Sequence, residues 1–153
     1  MNTFIEQLIN GLTIGSFYAL VALGYSMVYG VMKLINFAHG DLFAFGAYLG
    51  YTILTSATGK VTASLGIWGG IAFTAFFVAI SVAVAGVLVE RIAYRPVYPS
   101  GRLSLVVSAL GMAIFIQNGI MAIWGARPQA FPASVVPSYR FQVAGIPVPE
   151  LQV

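Results

Sequence analysis

Long apolar runs separated by short polar breaks make up most of this chain. Residues 7–32 carry no Asp, Glu, Lys or Arg, and neither do 42–59, 61–89 or 103–126. A helix needs about 20 apolar residues to cross the hydrocarbon core, so 7–32, 61–89 and 103–126 are each long enough alone. The 42–59 run is marginal and suffices only if its helix starts before Asp41. The pattern predicts helical spans over 8–32, 34–56, 65–89 and 103–124. Runs such as 71–80, Ile-Ala-Phe-Thr-Ala-Phe-Phe-Val-Ala-Ile, do not alternate, which argues against an outer-membrane barrel.

Composition supports the same class. Hydrophobic residues make up 59% and charged residues only 7%, with a mean hydropathy of +0.93. A soluble domain carries about a quarter charged residues, and this chain could not cover its surface with polar groups in water. A cleaved signal peptide is excluded, because the N-terminus carries Glu6 and no Lys or Arg, and further spans follow. A lone N-terminal anchor fails for the same reason. The net charge of +3 belongs to arginines beside the spans and indicates topology rather than nucleic-acid binding. The chain has no cysteine, so it has no disulfide and no Cys-ligated metal. The class is an all-α integral membrane protein of four transmembrane or partly re-entrant helices.

Glycines recur inside the apolar runs. Gly11 and Gly15, Gly46 and Gly50, and Gly66 and Gly70 each form a GxxxG pair, which lets helix backbones approach closely in lipid. Three pairs in three successive segments indicate a tightly packed bundle. Residues 90–102 form the clearest predicted loop. Pro96 and Pro99 oppose helix continuation there, while Glu90, Arg91, Arg95 and Arg102 mark a cytoplasmic face by the positive-inside rule. The stretch 127–153 holds five of the seven prolines and no span, and is expected on the opposite, extracytoplasmic face. Residues 141–148 suit a short hairpin there, with Pro147 confined to an edge.

Topology follows by parity. With 90–102 inside, a fully crossing second segment places the N-terminus outside. An N-terminus inside requires residues 34–56 to re-enter or break without crossing. The absence of Lys and Arg before residue 33 favours the first arrangement.

One polar island, Asn36-Phe37-Ala38-His39-Gly40-Asp41, interrupts the first two spans and contains the only histidine. Two readings are open. In the plain one, Asn36 ends a helix, Gly40 supplies a turn, Asp41 caps the next helix and His39 is solvated. In the functional one, the island is an interrupted helix on a translocation path, since Gly-broken apolar segments mark transporter sites. Path candidates are Asn36, Phe37, His39, Gly40, Asp41, Gly46 and Tyr48. Catalysis is poorly supported: one histidine and four carboxylates leave little for a nucleophile–base pair or a metal cage. Gly59-Lys60 lacks the remaining phosphate-loop residues, because Leu54 and Val61 stand where Gly and Ser or Thr are needed. No catalytic residue, metal site or cofactor is expected.

The segment Asn36-Phe37-Ala38-His39-Gly40-Asp41-Leu42-Phe43-Ala44-Phe45-Gly46-Ala47-Tyr48 resembles the signature of branched-chain amino-acid ABC importer permeases of the Liv type. Residues 11–24, 90–97 and 110–118 are similar to three further family segments, in the expected order. The match is strongest for the first of the two permease subunits. This resemblance implies a multi-pass protein of the bacterial inner membrane, part of a larger permease bundle. It also implies a second homologous permease, two cytoplasmic ATPases and a periplasmic substrate-binding protein as partners. Family permeases are longer, with the segment that docks on the ATPase in their later half, so this chain is expected to be an N-terminal part. Relatives that carry urea or short amides, and a stand-alone ion-coupled carrier or channel using His39 and Asp41, are the competing functions.

Overall fold

A computed structural model describes residues 2–56, 64, 66–129, 141–143 and 146–148. Helix α1 spans Asn2–Met32 and α2 spans His39–Thr55. Helix α3 covers Gly66–Val89 and α4 covers Arg102–Trp124. Strands β1, Phe141–Val143, and β2, Ile146–Val148, form an antiparallel pair with Phe141 opposite Val148 and Gln142 opposite Pro147. The segment 57–63, with Gly59 and Lys60, and most of the Pro-rich stretch lie outside the described residues.

Three segments are long and apolar enough to cross a membrane: Gln7–Met32, Trp68–Ser100 and Arg102–Trp124. Helix α2 is different. Its 17 residues rise about 25 Å, short of a hydrocarbon core of about 30 Å. The span expected over 34–56 is therefore corrected, because residues 33–38 are not helical. Lys33 ends α1 with φ 55, a left-handed conformation uncommon outside glycine. Its N–H still closes the last turn on the Tyr29 carbonyl at 2.8 Å.

The expected loop at 90–102 is the second correction. Glu90–Tyr94 forms a π-helical turn and Arg95–Ser100 a 3-10 turn, so helical winding continues past Val89. Pro96 sits in the opening turn, where a missing N–H leaves no bond unmade. The Arg95 N–H reaches back to the Glu90 carbonyl, the wide spacing that defines the π turn. Gly101, at φ 94, then provides the reversal into α4.

Packing fixes the helix directions. Leu42, Gly46 and Gly50 recur every four residues along one face of α2. Gly46 meets Val82 and Val78, and Gly50 meets Val78, while Leu42 joins a core cluster with Val89. Helix α2 therefore runs antiparallel to α3. Against α4 it runs parallel, since Asp41 bonds Gln117 and Thr52 bonds Trp124. The core lies where the break after α1 meets the end of α3 and the start of α4, around Leu42, Val89, Tyr94, Leu105 and Ala109. Outside it, large apolar side chains such as Leu12, Met27, Phe76 and Phe115 are exposed. In lipid that exposure costs little, because acyl chains are as apolar as leucine.

Candidate functional site

The break at 33–38 is held by its own polar groups. The Asn36 side-chain carbonyl accepts the Ala38 N–H at 3.0 Å, a local Asx turn that competes with helix. The Asn36 backbone carbonyl accepts the His39 N–H at 3.1 Å. Tyr94, in the π turn, donates its hydroxyl to the same Asn36 side-chain oxygen. Ala38, whose small side chain fits the turn, is fully buried. The π turn is anchored in turn to α4, where the Ser108 hydroxyl donates to the Ala93 carbonyl at 2.6 Å.

His39 is packed against α1 rather than solvated. Its ring meets Tyr25 edge-on at 4.7 Å between centroids, and a methyl group on Gly24 would overlap the imidazole. The Tyr25 hydroxyl accepts the Gly40 N–H at 3.3 Å. Gly40 is helical, so the expected turn at that position is not formed. Asp41 does not cap α2 either. The cap position belongs to Ala38, and Asp41 stands in the first turn. Its carboxylate accepts the Gln117 amide N–H at 2.9 Å. Gln117 stands about 22 Å along α4 from Arg102 at 1.5 Å per residue, well inside bilayer depth.

At the far end of α2, the Trp124 indole N–H donates to the Thr52 hydroxyl at 2.6 Å. Tyr48 and Phe45 pack on the same indole at 5.6 and 6.3 Å between ring centroids. Phe37 is exposed, apart from the bonded groups of the break. A narrow cleft beside Asn36 is lined by Met32, Leu34, Ile35, Tyr94 and Leu105. Only about 10 Å³ of it admits a water centre, so it holds a water rather than an amino acid.

The remaining glycines and charges are dispersed. A side chain at Gly11 or Gly15 would meet nothing within 4 Å, and Gly66 opens α3 at φ 72. Gly70 is buried on α3. Glu90, Arg91, Arg95 and Arg102 are exposed around the π and 3-10 turns. Among the described residues, no three His, Asp, Glu or Cys side chains converge on a point where a metal ion would sit. Sequence reasoning missed Tyr94 and Gln117 as site residues. A polar amide in the middle of an uncharged run was the available signal for Gln117. Nothing in the sequence linked Tyr94 to Asn36, which is 58 residues distant.

Residues 7–149 match the family described as branched-chain amino acid transport system / permease component. The chain is 38% identical to the high-affinity branched-chain amino acid transport system permease protein BraD of Pseudomonas aeruginosa, over 90% of this chain and 44% of that protein. Identity to the corresponding permease protein LivH is 40% in Escherichia coli K12 and 44% in Salmonella typhimurium, each over 85% of this chain and 42% of the relative. The chain thus spans less than half the length of these curated relatives. No solved structure matches it. With a match over residues 7–149 and three helices able to span a membrane, the chain belongs to the branched-chain amino acid transport system permease family.

Proposed function

We propose that this chain is part of a permease subunit that imports branched-chain amino acids across the bacterial inner membrane. ATP hydrolysis occurs on separate cytoplasmic subunits, a second permease completes the pathway, and a periplasmic binding protein delivers the substrate. Residues 90–102 face the cytoplasm and the Pro-rich stretch 127–153 faces outward. The polar break between α1 and α2 borders the translocation path.

The observation that carries this reading is the depth of the break. Asn36, His39 and Asp41 do not sit in a solvated loop; they are bonded or packed against Tyr94, Tyr25 and Gln117 inside the helix bundle. Irregular backbone at membrane depth is tolerated where it is buried in protein or lines a cavity. Polar groups there are costly and tend to serve transport. The break also joins two parts that alternating access would move against each other. Asn36 belongs to the start of α2, whereas Tyr94 belongs to the turn beside the cytoplasmic arginines. A shift of that turn changes the support of the break directly.

The test uses the full-length permease with its partner permease, ATPases and binding protein in proteoliposomes. ATP-dependent uptake of labelled leucine is expected, and labelled urea is expected not to accumulate. Asn36→Ala should reduce leucine uptake while subunit assembly stays normal. Leucine accumulation by the permease alone on an ion gradient, or wild-type uptake by Asn36→Ala, would sink this reading.

A further inference from the structure

Resting on the permease reading above, we infer that Asp41 and Gln117 form a subsite for the ammonium group of a zwitterionic substrate. The pair lies at membrane depth, about 22 Å from Arg102 and about 10 Å short of Trp124 along α4. Gln117 is exposed and Asp41 half-buried, so the pair opens on the outer face of this four-helix unit rather than into its core. A carboxylate at that depth is costly unless it meets water or a cation.

The hydrogen-bond chemistry selects the ligand. An ionised carboxylate only accepts, so the Gln117 amide must turn its NH₂ toward Asp41. The amide oxygen is then left as a second acceptor beside the carboxylate. An ammonium group brings a positive charge and three donors, which suits two neighbouring acceptors. A neutral amide brings donors without charge, and an anion is repelled.

The start of α2 reinforces that polarity. A helix N-terminus ordinarily offers free N–H groups to anions. Here the Ala38, His39 and Gly40 N–H groups are already taken by the Asn36 side chain, the Asn36 carbonyl and the Tyr25 hydroxyl. Asp41 adds negative charge to the same turn. The break therefore receives the cationic end of a zwitterion and leaves its carboxylate to be held elsewhere.

Gln117→Cys in a cysteine-free, fully assembled importer tests the subsite. The probes are methanethiosulfonate ethylammonium, which is cationic, and methanethiosulfonate ethylsulfonate, which is anionic. The cationic reagent is expected to react about tenfold faster, reflecting the nearby unit charge. Adding Asp41→Asn should erase that preference, and saturating leucine should slow the reaction. If Q117C reacts with neither reagent, the face is covered by another helix and the subsite is wrong. Equal rates overturn it as well. Should Q117C fail to assemble, uptake at subsaturating leucine decides: Asp41→Glu must retain more activity than the isosteric Asp41→Asn, and wild-type uptake by D41N refutes the proposal. Wild-type leucine uptake in the same vesicles separates the two readings. An unreactive Q117C beside normal uptake removes only the subsite, whereas no ATP-dependent uptake removes the permease reading itself.

Discussion

At the scale of single residues, the glycines divide by what surrounds them. Gly46 is buried, and a Cβ there would stand 3.0 Å from a Val82 methyl and 3.4 Å from a Val78 methyl. Gly50 leaves 3.7 Å to Val78, an ordinary contact. Gly46→Leu should therefore overpack the α2–α3 seam and cost about 1–3 kcal/mol. Gly50→Ala should be nearly neutral. Thermal unfolding of the detergent-solubilised complex ranks the two, and a Gly46→Leu variant as stable as wild type would contradict the close approach. The spacing of Gly46 and Gly50 in the sequence pointed toward close packing, but Gly11 and Gly15 carry the same spacing on a face of α1 that touches nothing described. GxxxG states that a backbone can be approached, not that a neighbour is there. The site residues show the same divide. Asn36, His39 and Asp41 were legible because polarity is rare in such a run. Their partners were less so: Gln117 announced itself only as an amide within an apolar helix, and Tyr94 is an unremarkable residue until folding brings it to Asn36.

The elements were legible where charge was absent over a full membrane width. The boundaries of α1, α3 and α4 follow charge-free runs, and α3 and α4 begin within a residue of their expected starts. The start of α2 was not legible, because Leu34-Ile35-Asn36-Phe37-Ala38 is apolar enough to continue a helix. What ends the helix is tertiary: Asn36 folds onto its own backbone and accepts from Tyr94. The winding at 90–100 was hidden for the opposite reason. Pro96 and Pro99 signal a stop, yet a π turn followed by a 3-10 turn accommodates both. The widened turn is what carries Tyr94 to Asn36, so the two misread elements form one unit. Tyr94→Phe isolates it by removing a hydroxyl while keeping the ring. The variant should lose about 1 kcal/mol of stability, the usual net value of one such bond. If the unit transmits movement to the break, leucine uptake should fall further than that loss of stability explains. Proportionate losses would assign Tyr94 to stability alone.

For the molecule as a whole, the decisive geometry is that α2 is short and runs beside two helices that cross. Its C-terminal end reaches the level of Trp124, through the Thr52 bond, and tryptophan favours the membrane interface. Its N-terminal end stops within the bundle, about 22 Å along α4 from Arg102. Thr55 and Ser100 then belong to opposite faces of the membrane, with Thr55 outside if the arginines at 91, 95 and 102 are inside. Because the chain has no cysteine, single thiols report these positions without interference from its own residues. A membrane-impermeant maleimide should label Thr55→Cys from the periplasmic side of intact cells. Ser100→Cys should label only in inside-out vesicles. Ala38→Cys, buried in the break, should resist the reagent from either side when the complex is at rest. Labelling of the two end positions from one side would mean that α3 does not cross, and the antiparallel seam of α2 with α3 would then have to lie along the membrane surface. Rapid labelling of Ala38→Cys would return the polar island to a solvated loop, and with it would go the reason for placing a translocation path beside Asn36 and Asp41.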